Sequence, residues 1–395
     1  MKKFFEFFKK NRVRKILAAA VCFSLIRLLV AFAVYQLAAG HSGFVRSVYT
    51  EKVFPVITSP MKFLASLVPF SVGEVLLIAL AVLAVSGLVF CFARWIYLGV
   101  RKKKGTKGFL RLLAVVLTVG ILVGGNFFVY GALNYRSLTF KEVTGIEVTP
   151  AKTDELEQLC LYLGRKATEA RSVLTENDEG VICDARSDYD ILKASTKGFA
   201  TASKEFSCLS GYLVAPKPAI FSDMMSYEQI AGIFPIVYTE SIVNVNAPVY
   251  DTPFTACHEL AHQLGFAQED EANFIGFIAA IANDDPLYVY SGYYNGFSYA
   301  MNKLHSFDEE KWAAVWSDPD IDSEGISRDM RHANAIWDAY KKKAPVISRI
   351  SEAVNDSYLK ANDIKDGTYS YGRMVDLMLA YYRGTLPAAV SGFED

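Results

Sequence analysis

The segment 258–262 reads HELAH, and its two histidines and one glutamate have the types and spacing that metal chemistry needs. On a helix, residues four apart lie on one face, so His258 and His262 can share one Zn²⁺. Glu259 lies beside that face, where its carboxylate can take a proton from a metal-bound water. Zinc lowers the pKa of that water and polarises a carbonyl, so the pattern predicts peptide hydrolysis with Glu259 as the catalytic general base.

A catalytic zinc needs a third protein ligand and one open position. The next acidic residues are Glu269, Asp270 and Glu271. If a second helix begins near Gln268, Glu269 and Asn273 share one face, whereas Glu271 points about 200° around the axis from Glu269. We therefore predict one Zn²⁺ per chain held by His258, His262 and Glu269, with Glu271 as the alternative third ligand. Asn273 is predicted to orient a ligating histidine.

The limits of the predicted metal helix are also encoded locally. Thr252-Pro253 is a helix-start signal, because a hydroxyl can cap the first turn and proline suits the first helical position. Gly265 follows the last periodic residue, where a helix end commonly needs a left-handed conformation. The chain is therefore expected to stop, turn, and return with a carboxylate directed at the metal.

ExxAN, from Glu269 to Asn273, resembles the ExxA[D/N] element of gluzincin-type metallopeptidases, whose first Glu is the third zinc ligand. PFTACHELAHQLGFAQEDEANF (253–274), YSGY (290–293) and the later VNDSYLKAND and SYG resemble the bacterial domain of unknown function 3810 family, grouped with zincin-like peptidases. The resemblance covers most of the chain and implies a zincin fold with zinc-dependent hydrolysis, but no substrate. Gln268 stands where a metzincin carries its third histidine, which favours a glutamate ligand.

Charge is strongly segregated along the 395 residues. Up to Arg136 there are 19 Lys and Arg against 3 Asp and Glu, and the remainder has 22 against 39. A basic, apolar first part followed by an acidic, mixed part predicts a membrane anchor at 1–136 and an extracytoplasmic domain at 137–395. The acidic part carries no basic stripe, so nucleic acid is not an expected partner.

Three apolar stretches, at about 16–38, 72–98 and 109–133, are long enough to cross a lipid bilayer. Positive charge concentrates before the first stretch and between the second and third, which places those segments in the cytoplasm. The predicted location is therefore the cell membrane, with a cytoplasmic N-terminus and the C-terminal domain outside. The loop 41–71 carries an apolar stretch, Val53 to Phe70, that suits a membrane interface.

The outer domain reads as α+β, with helices predicted at about 153–174 and 187–203 and a helical C-terminal part at 327–382. The segment from Lys217 to Val249 is rich in β-branched and aromatic residues, which predicts strands. By analogy with zincins, the strand from Ile236 to Asn246 is predicted to lie at the sheet edge and to pair with an extended substrate, a plain structural strand being the alternative.

Peptide hydrolysis also benefits from a donor that faces the developing oxyanion. Tyr290, Tyr293 and His332 are the candidates, each with a purely structural role as its alternative. The four cysteines beyond the apolar stretches could form disulfides in an oxidising compartment. They are Cys160, Cys183, Cys208 and Cys257.

These features together predict a membrane-anchored zinc metallopeptidase that acts on a peptide or protein substrate. Two alternatives remain: a zinc-stabilised binding or sensor module without turnover, and a zinc amide hydrolase acting on a non-peptide component of the cell envelope. The intact Glu259 argues against the first alternative, because a purely structural zinc site has no need of a general base.

Overall fold

The computed structural model describes residues 12–100, 115–116, 118–120, 125, 130–236, 238–361, 371–383 and 386. Over these residues the protein is mostly helical and carries one small sheet of three strands. The chain folds into two compact units. Unit 1 comprises Met1–Ile57, Val72–Ser137 and Ile236–Tyr238, and unit 2 comprises Thr58–Ser71, Leu138–Pro235 and Thr239–Asp395. The domain boundary predicted at Arg136 stays a prediction. It does not separate out Thr58–Ser71, which belongs to unit 2.

Two helices of the described part are long and apolar enough to cross a membrane, over Ala18–Leu37 and Val72–Tyr97. They coincide with the first two predicted spans. The third predicted span, at about 109–133, falls mostly outside the described residues. The elements of this part of the chain are α1 (Arg12–Leu37), α2 (Ser42–Phe44), a π-helix (Val45–Val53), α3 (Phe54–Ser66), α4 (Val72–Val100) and a 3₁₀ turn (Ala132–Arg136).

Unit 2 is built from helices around one apolar core. Its helices are α5 (Phe140–Thr144), α6 (Thr153–Arg171), α7 (Asp188–Lys193), α8 (Ser195–Ala202), α9 (Ser222–Tyr227), α10 (Thr252–Gln263), α11 (Glu269–Ile281), α12 (Pro286–Phe307), α13 (Glu309–Trp316), α14 (Ser323–Lys343), α15 (Pro345–Ala361) and α16 (Tyr371–Tyr382), with a 3₁₀ turn at Ser207–Leu209. Helix α6 shows why they pack: Leu156, Leu159 and Leu163 recur at helical spacing and are fully buried. The predicted helix at 153–174 is thereby confirmed.

The predicted helix at 187–203 is two helices, α7 and α8, which meet at Ala194. Gly198 does not interrupt the second helix. It allows α8 to approach α11, since a Cβ at Gly198 would lie 1.9 Å from the carbonyl oxygen of Ala279. The helical C-terminal part is confirmed, as α14, α15 and α16.

The three strands are short, and their order is β1 (Lys217–Pro218), β3 (Ile242–Val243) and β2 (Gly232–Ile233). β3 pairs with β1 in parallel and with β2 in antiparallel fashion. The prediction of an edge strand from Ile236 to Asn246 is therefore wrong. Of the described residues in that segment, only Ile242–Val243 is strand, and it is central because both of its sides are paired. The two edge strands are β1 and β2.

Candidate metal centre

Helix α10 carries both histidines of the candidate centre. The Nε2 atoms of His258 and His262 lie 3.1 Å apart. The Nδ1 atom of His258 lies 2.8 Å from Oδ1 of Asn273, and that of His262 lies 2.7 Å from the carbonyl oxygen of Phe266. Both acceptors receive a hydrogen bond from Nδ1, so Nε2 is the nitrogen of each neutral imidazole that can bind a metal. At 3.1 Å, the two Nε2 atoms can share one cation.

The turn after α10 brings Glu269 back to these histidines. Gly265 adopts a left-handed φ of +88°, and the amide of Phe266 donates to the carbonyl of Ala261 over 3.2 Å. This is the glycine-terminated helix end predicted at Gly265. Helix α11 then begins at Glu269, and Oε2 of that residue lies 3.1 Å from Nε2 of His258 and 3.7 Å from Nε2 of His262.

The three side chains fit a zinc ion. Ligands about 2.1 Å from tetrahedral zinc lie roughly 3.4 Å from one another. The distances among the two Nε2 atoms and Oε2 are 3.1, 3.1 and 3.7 Å, so one point can be a bonding distance from all three. Burial tends to raise the pKa of Glu269, but the two histidines outweigh it and hold that pKa well below its usual range. The carboxylate is therefore ionised, as a metal ligand must be.

Glu259 is 3% exposed, and its Oε2 has no hydrogen-bond partner among the described residues. An unpartnered buried carboxylate oxygen is costly unless water or a ligand meets it. Burial raises the pKa of Glu259 to about 7, although His258 and His262 oppose the shift. A carboxyl group with that pKa can accept and return a proton near neutral pH, which is what a general base requires.

Two glycines allow close approach around the centre. A Cβ at Gly276 of α11 would lie 3.0 Å from the backbone nitrogen of His258, so the absence of a side chain lets α11 pack against the metal helix. A Cβ at Gly232 of β2 would lie 2.5 Å from Oε1 of Glu259. The edge strand of the sheet therefore runs directly beside the carboxylate.

Glu271, the alternative third ligand, is directed elsewhere. Its Oε1 accepts a hydrogen bond of 2.7 Å from the backbone amide of Phe140. Burial raises the pKa of Glu271 to about 8. Of the two glutamates, only Glu269 joins the histidines in the group whose donor atoms lie within 4.8 Å of one another.

The candidate oxyanion donors have other partners. The hydroxyl of Tyr290 donates to Oδ2 of Asp329 over 2.5 Å in the fully buried core. Tyr293 packs edge-on against Phe277. His332 places Nδ1 3.1 Å from the hydroxyl of Tyr250. Contacts of these three residues within the described part of the chain thus indicate packing roles, and none brings them to the three predicted ligands.

Among the described residues, Cys160, Cys183, Cys208 and Cys257 form no disulfide with one another. Cys160 and Cys257 are fully buried, and burial raises the pKa of both thiols far above its usual value. Cys160 and Cys257 therefore act as small core residues.

A buried lysine at the C-terminal end of α10 was not predicted from the sequence. Nζ of Lys62, from α3, donates to the carbonyl oxygens of Gln263 and Tyr212 over 3.0 and 3.3 Å. The side-chain amide of Gln263 donates in turn to Oγ of Ser241, which donates to the carbonyl of Glu259 over 2.9 Å. A single lysine within the apolar stretch FPVITSPMKFLAS was the only sequence signal for this contact.

Comparison with known proteins identifies a family. The model of a family described as Protein of unknown function (DUF3810) matches residues 49–379, which include α3 and the whole candidate metal centre. No curated protein and no solved structure matches the chain.

Proposed function

This chain belongs to the DUF3810 family, and from the geometry of its centre we propose that it is a membrane-anchored zinc metallopeptidase with a zincin-like outer domain. One observation carries the proposal. Nε2 of His258, Nε2 of His262 and Oε2 of Glu269 converge at zinc-ligand spacing, beside a buried Glu259 that has an unpartnered oxygen among the described residues. A purely structural site would use four protein ligands and no adjacent base.

The residues divide the work of hydrolysis. Zinc held by His258, His262 and Glu269 would acidify a water and polarise the scissile carbonyl. Glu259 takes the proton from that water and passes it to the departing amine, so the peptide C–N bond breaks and a new C–O bond forms. Asn273 keeps His258 oriented through its Oδ1, which leaves Nε2 free to bind.

The substrate is proposed to lie along β2 rather than along the 236–246 segment. β2 is an edge of the sheet, and its Gly232 abuts Oε1 of Glu259. An extended peptide can add to a free strand edge through main-chain hydrogen bonds. A peptide bound there would have its backbone next to the general base. Ile233 is 40% exposed and offers an apolar contact for a substrate side chain.

In the proposed topology the N-terminus is cytoplasmic and unit 2, which contains the metal centre, lies outside the cell membrane. Thr58–Ser71, between the two candidate spans in sequence, belongs to the same unit as the metal centre, which supports the placement of both on one side of the membrane. After the second span the chain must then cross once more before Leu138. The sequence places this crossing at about 109–133, mostly outside the described residues.

The test uses the full-length protein in detergent. Bound metal is measured by atomic emission, and turnover by mass spectrometry of new termini in a proteome-derived peptide library. The wild type is expected to hold one zinc per chain and to cut the library. Glu259→Gln should keep the zinc and lose turnover by about 10²- to 10⁴-fold, which is the contribution typical of a general base.

Glu310→Gln is the matched control, because Glu310 is exposed and lies far along the chain in α13. It should leave both zinc and turnover unchanged. A wild-type protein that binds zinc yet produces no new termini would refute the peptidase in favour of the binding module or the hydrolase of a non-peptide amide. A protein that binds no zinc would refute all three hypotheses.

A further inference from the structure

Helix α3 has an inverted distribution of polar and apolar residues within unit 2. Thr58, Lys62 and Ala65, spaced four and three apart on one face, are 0, 3 and 1% exposed. Phe63 and Leu64 of the same helix, and Leu67 directly after it, are 57, 51 and 63% exposed. A helix of a water-soluble unit normally buries its apolar face and exposes its polar one. This segment does the reverse.

The polar face is bound firmly to the rest of unit 2. Besides the bonds of Lys62 to Gln263 and Tyr212, the hydroxyl of Thr239 lies 3.4 Å from the carbonyl of Thr58. Further along, Nζ of the buried Lys217 donates to the carbonyl of Val68 over 2.6 Å. Because these contacts hold the polar side of the segment against the rest of unit 2, the apolar side faces away from unit 2.

In the sequence, the exposed residues are followed at once by the second candidate span. Phe70 is 45% exposed and stands two residues before Val72, where the apolar helix over Val72–Tyr97 begins. Two residues extend at most about 7 Å, and the polar interfacial layer of a bilayer is of similar thickness on each side. The aromatic and aliphatic side chains of the segment therefore lie within reach of that layer, which favours such residues.

We propose that residues 58–71 form an adaptor with two different faces. Its polar face binds the rest of unit 2, and its apolar face lies in the lipid interface. The apolar face consists of Phe63, Leu64, Leu67 and Phe70. The apolar face contacts lipid at the boundary between headgroups and acyl chains. Removal of these side chains from water stabilises the arrangement, as it does for other interfacial helices. The inference rests on the proposed membrane anchor and does not depend on peptidase activity.

The test is photo-cross-linking of the full-length protein in nanodiscs of phosphatidylethanolamine and phosphatidylglycerol. Benzoylphenylalanine replaces Phe63 or Leu67, and lipid adducts are measured by mass spectrometry. Val173, which is 69% exposed in unit 2, is the matched control, and Leu83, 69% exposed in the second candidate span, is the positive control. We expect lipid adducts at 63, 67 and 83, and none above background at 173.

Adducts at 83 without adducts at 63 and 67 would overturn the adaptor and leave the anchor intact. Protein adducts between two copies of the chain at 63 or 67 would overturn it in favour of a self-association surface. Absence of adducts at 83 as well would refute the anchor and the adaptor together. Leu64 replaces either position if the substituted chain fails to fold by circular dichroism.

Discussion

Nζ of Lys62 donates to the carbonyl oxygen of Gln263 over 3.0 Å, and Gln263 directly follows the second histidine of the candidate metal centre. A residue from the segment between two candidate membrane spans thus closes the C-terminal end of the metal helix. A cation suits this position, because the last carbonyls of a helix carry partial negative charge.

Lys62→Met is expected to destabilise unit 2, because it leaves the carbonyl of Gln263 without this donor. An unsatisfied buried acceptor costs about 1–3 kcal/mol. Burial lowers the pKa of Lys62 to about 8, so loss of the buried charge offsets part of that cost. Thermal unfolding should show a lower Tm, and hydrogen exchange over 58–71 should rise. Lys52→Met, at an exposed position, should change neither quantity.

Asn273→Ala should weaken zinc binding without removing a ligand. The amide holds Nδ1 of His258 at 2.8 Å, and such outer contacts contribute about 10- to 100-fold to metal affinity. Competition with a fluorescent chelator measures the affinity. Asn334→Ala changes an exposed asparagine of α14 and should leave it intact. Equal affinities for the two variants would contradict the assigned role of Asn273.

Substitutions of Glu269 and Glu271, both in α11, should affect the metal content differently. Glu269→Gln is expected to lose zinc, since its Oε2 is the third donor beside the two histidines. Glu271→Gln should retain zinc, because Glu271 contacts the amide of Phe140 instead. Atomic emission on the purified variants decides the matter, and zinc loss in Glu271→Gln alone would reverse the assignment.

Gly232→Ala probes the proposed substrate edge. The added Cβ would lie 2.5 Å from Oε1 of Glu259 and 2.7 Å from Cγ2 of Thr255, so the carboxylate or the strand must shift. A displacement of about 1 Å at a reacting group can cost roughly 10²-fold in rate. We expect turnover to fall by about that factor while zinc content is retained. Gly43→Ala, where a Cβ meets nothing within 4 Å, should behave like the wild type.

The buried Glu271 should make stability depend on pH. Burial raises its folded pKa from 4.5 to about 8, so the folded state binds the proton more tightly than the unfolded state. This contribution is complete below about pH 4.5 and is lost as pH rises towards about 8. Between pH 6 and 8.5 with zinc present, the Tm of Glu271→Gln should fall less steeply than that of the wild type. The exposed Glu310→Gln should follow the wild type, and parallel slopes for all three proteins would exclude the effect.

The sequence alone determined the local parts of this protein. The four-residue spacing of His258 and His262, the helix end at Gly265 and the return to Glu269 lie within twelve residues, where helix geometry fixes which side chains share a face. The two candidate spans were equally accessible, because length and apolarity define them.

The tertiary structure decided what depends on distant partners. Gly232 lies beside Glu259 and Lys62 lies at the end of the metal helix, although 27 and 201 residues separate these pairs along the chain. The same holds for the sheet order, which made Ile242–Val243 the central strand, and for Tyr290, whose hydroxyl donates to Asp329. Hydrogen-bond partners and sheet edges are set by packing between separate elements, and no periodicity within one element encodes them.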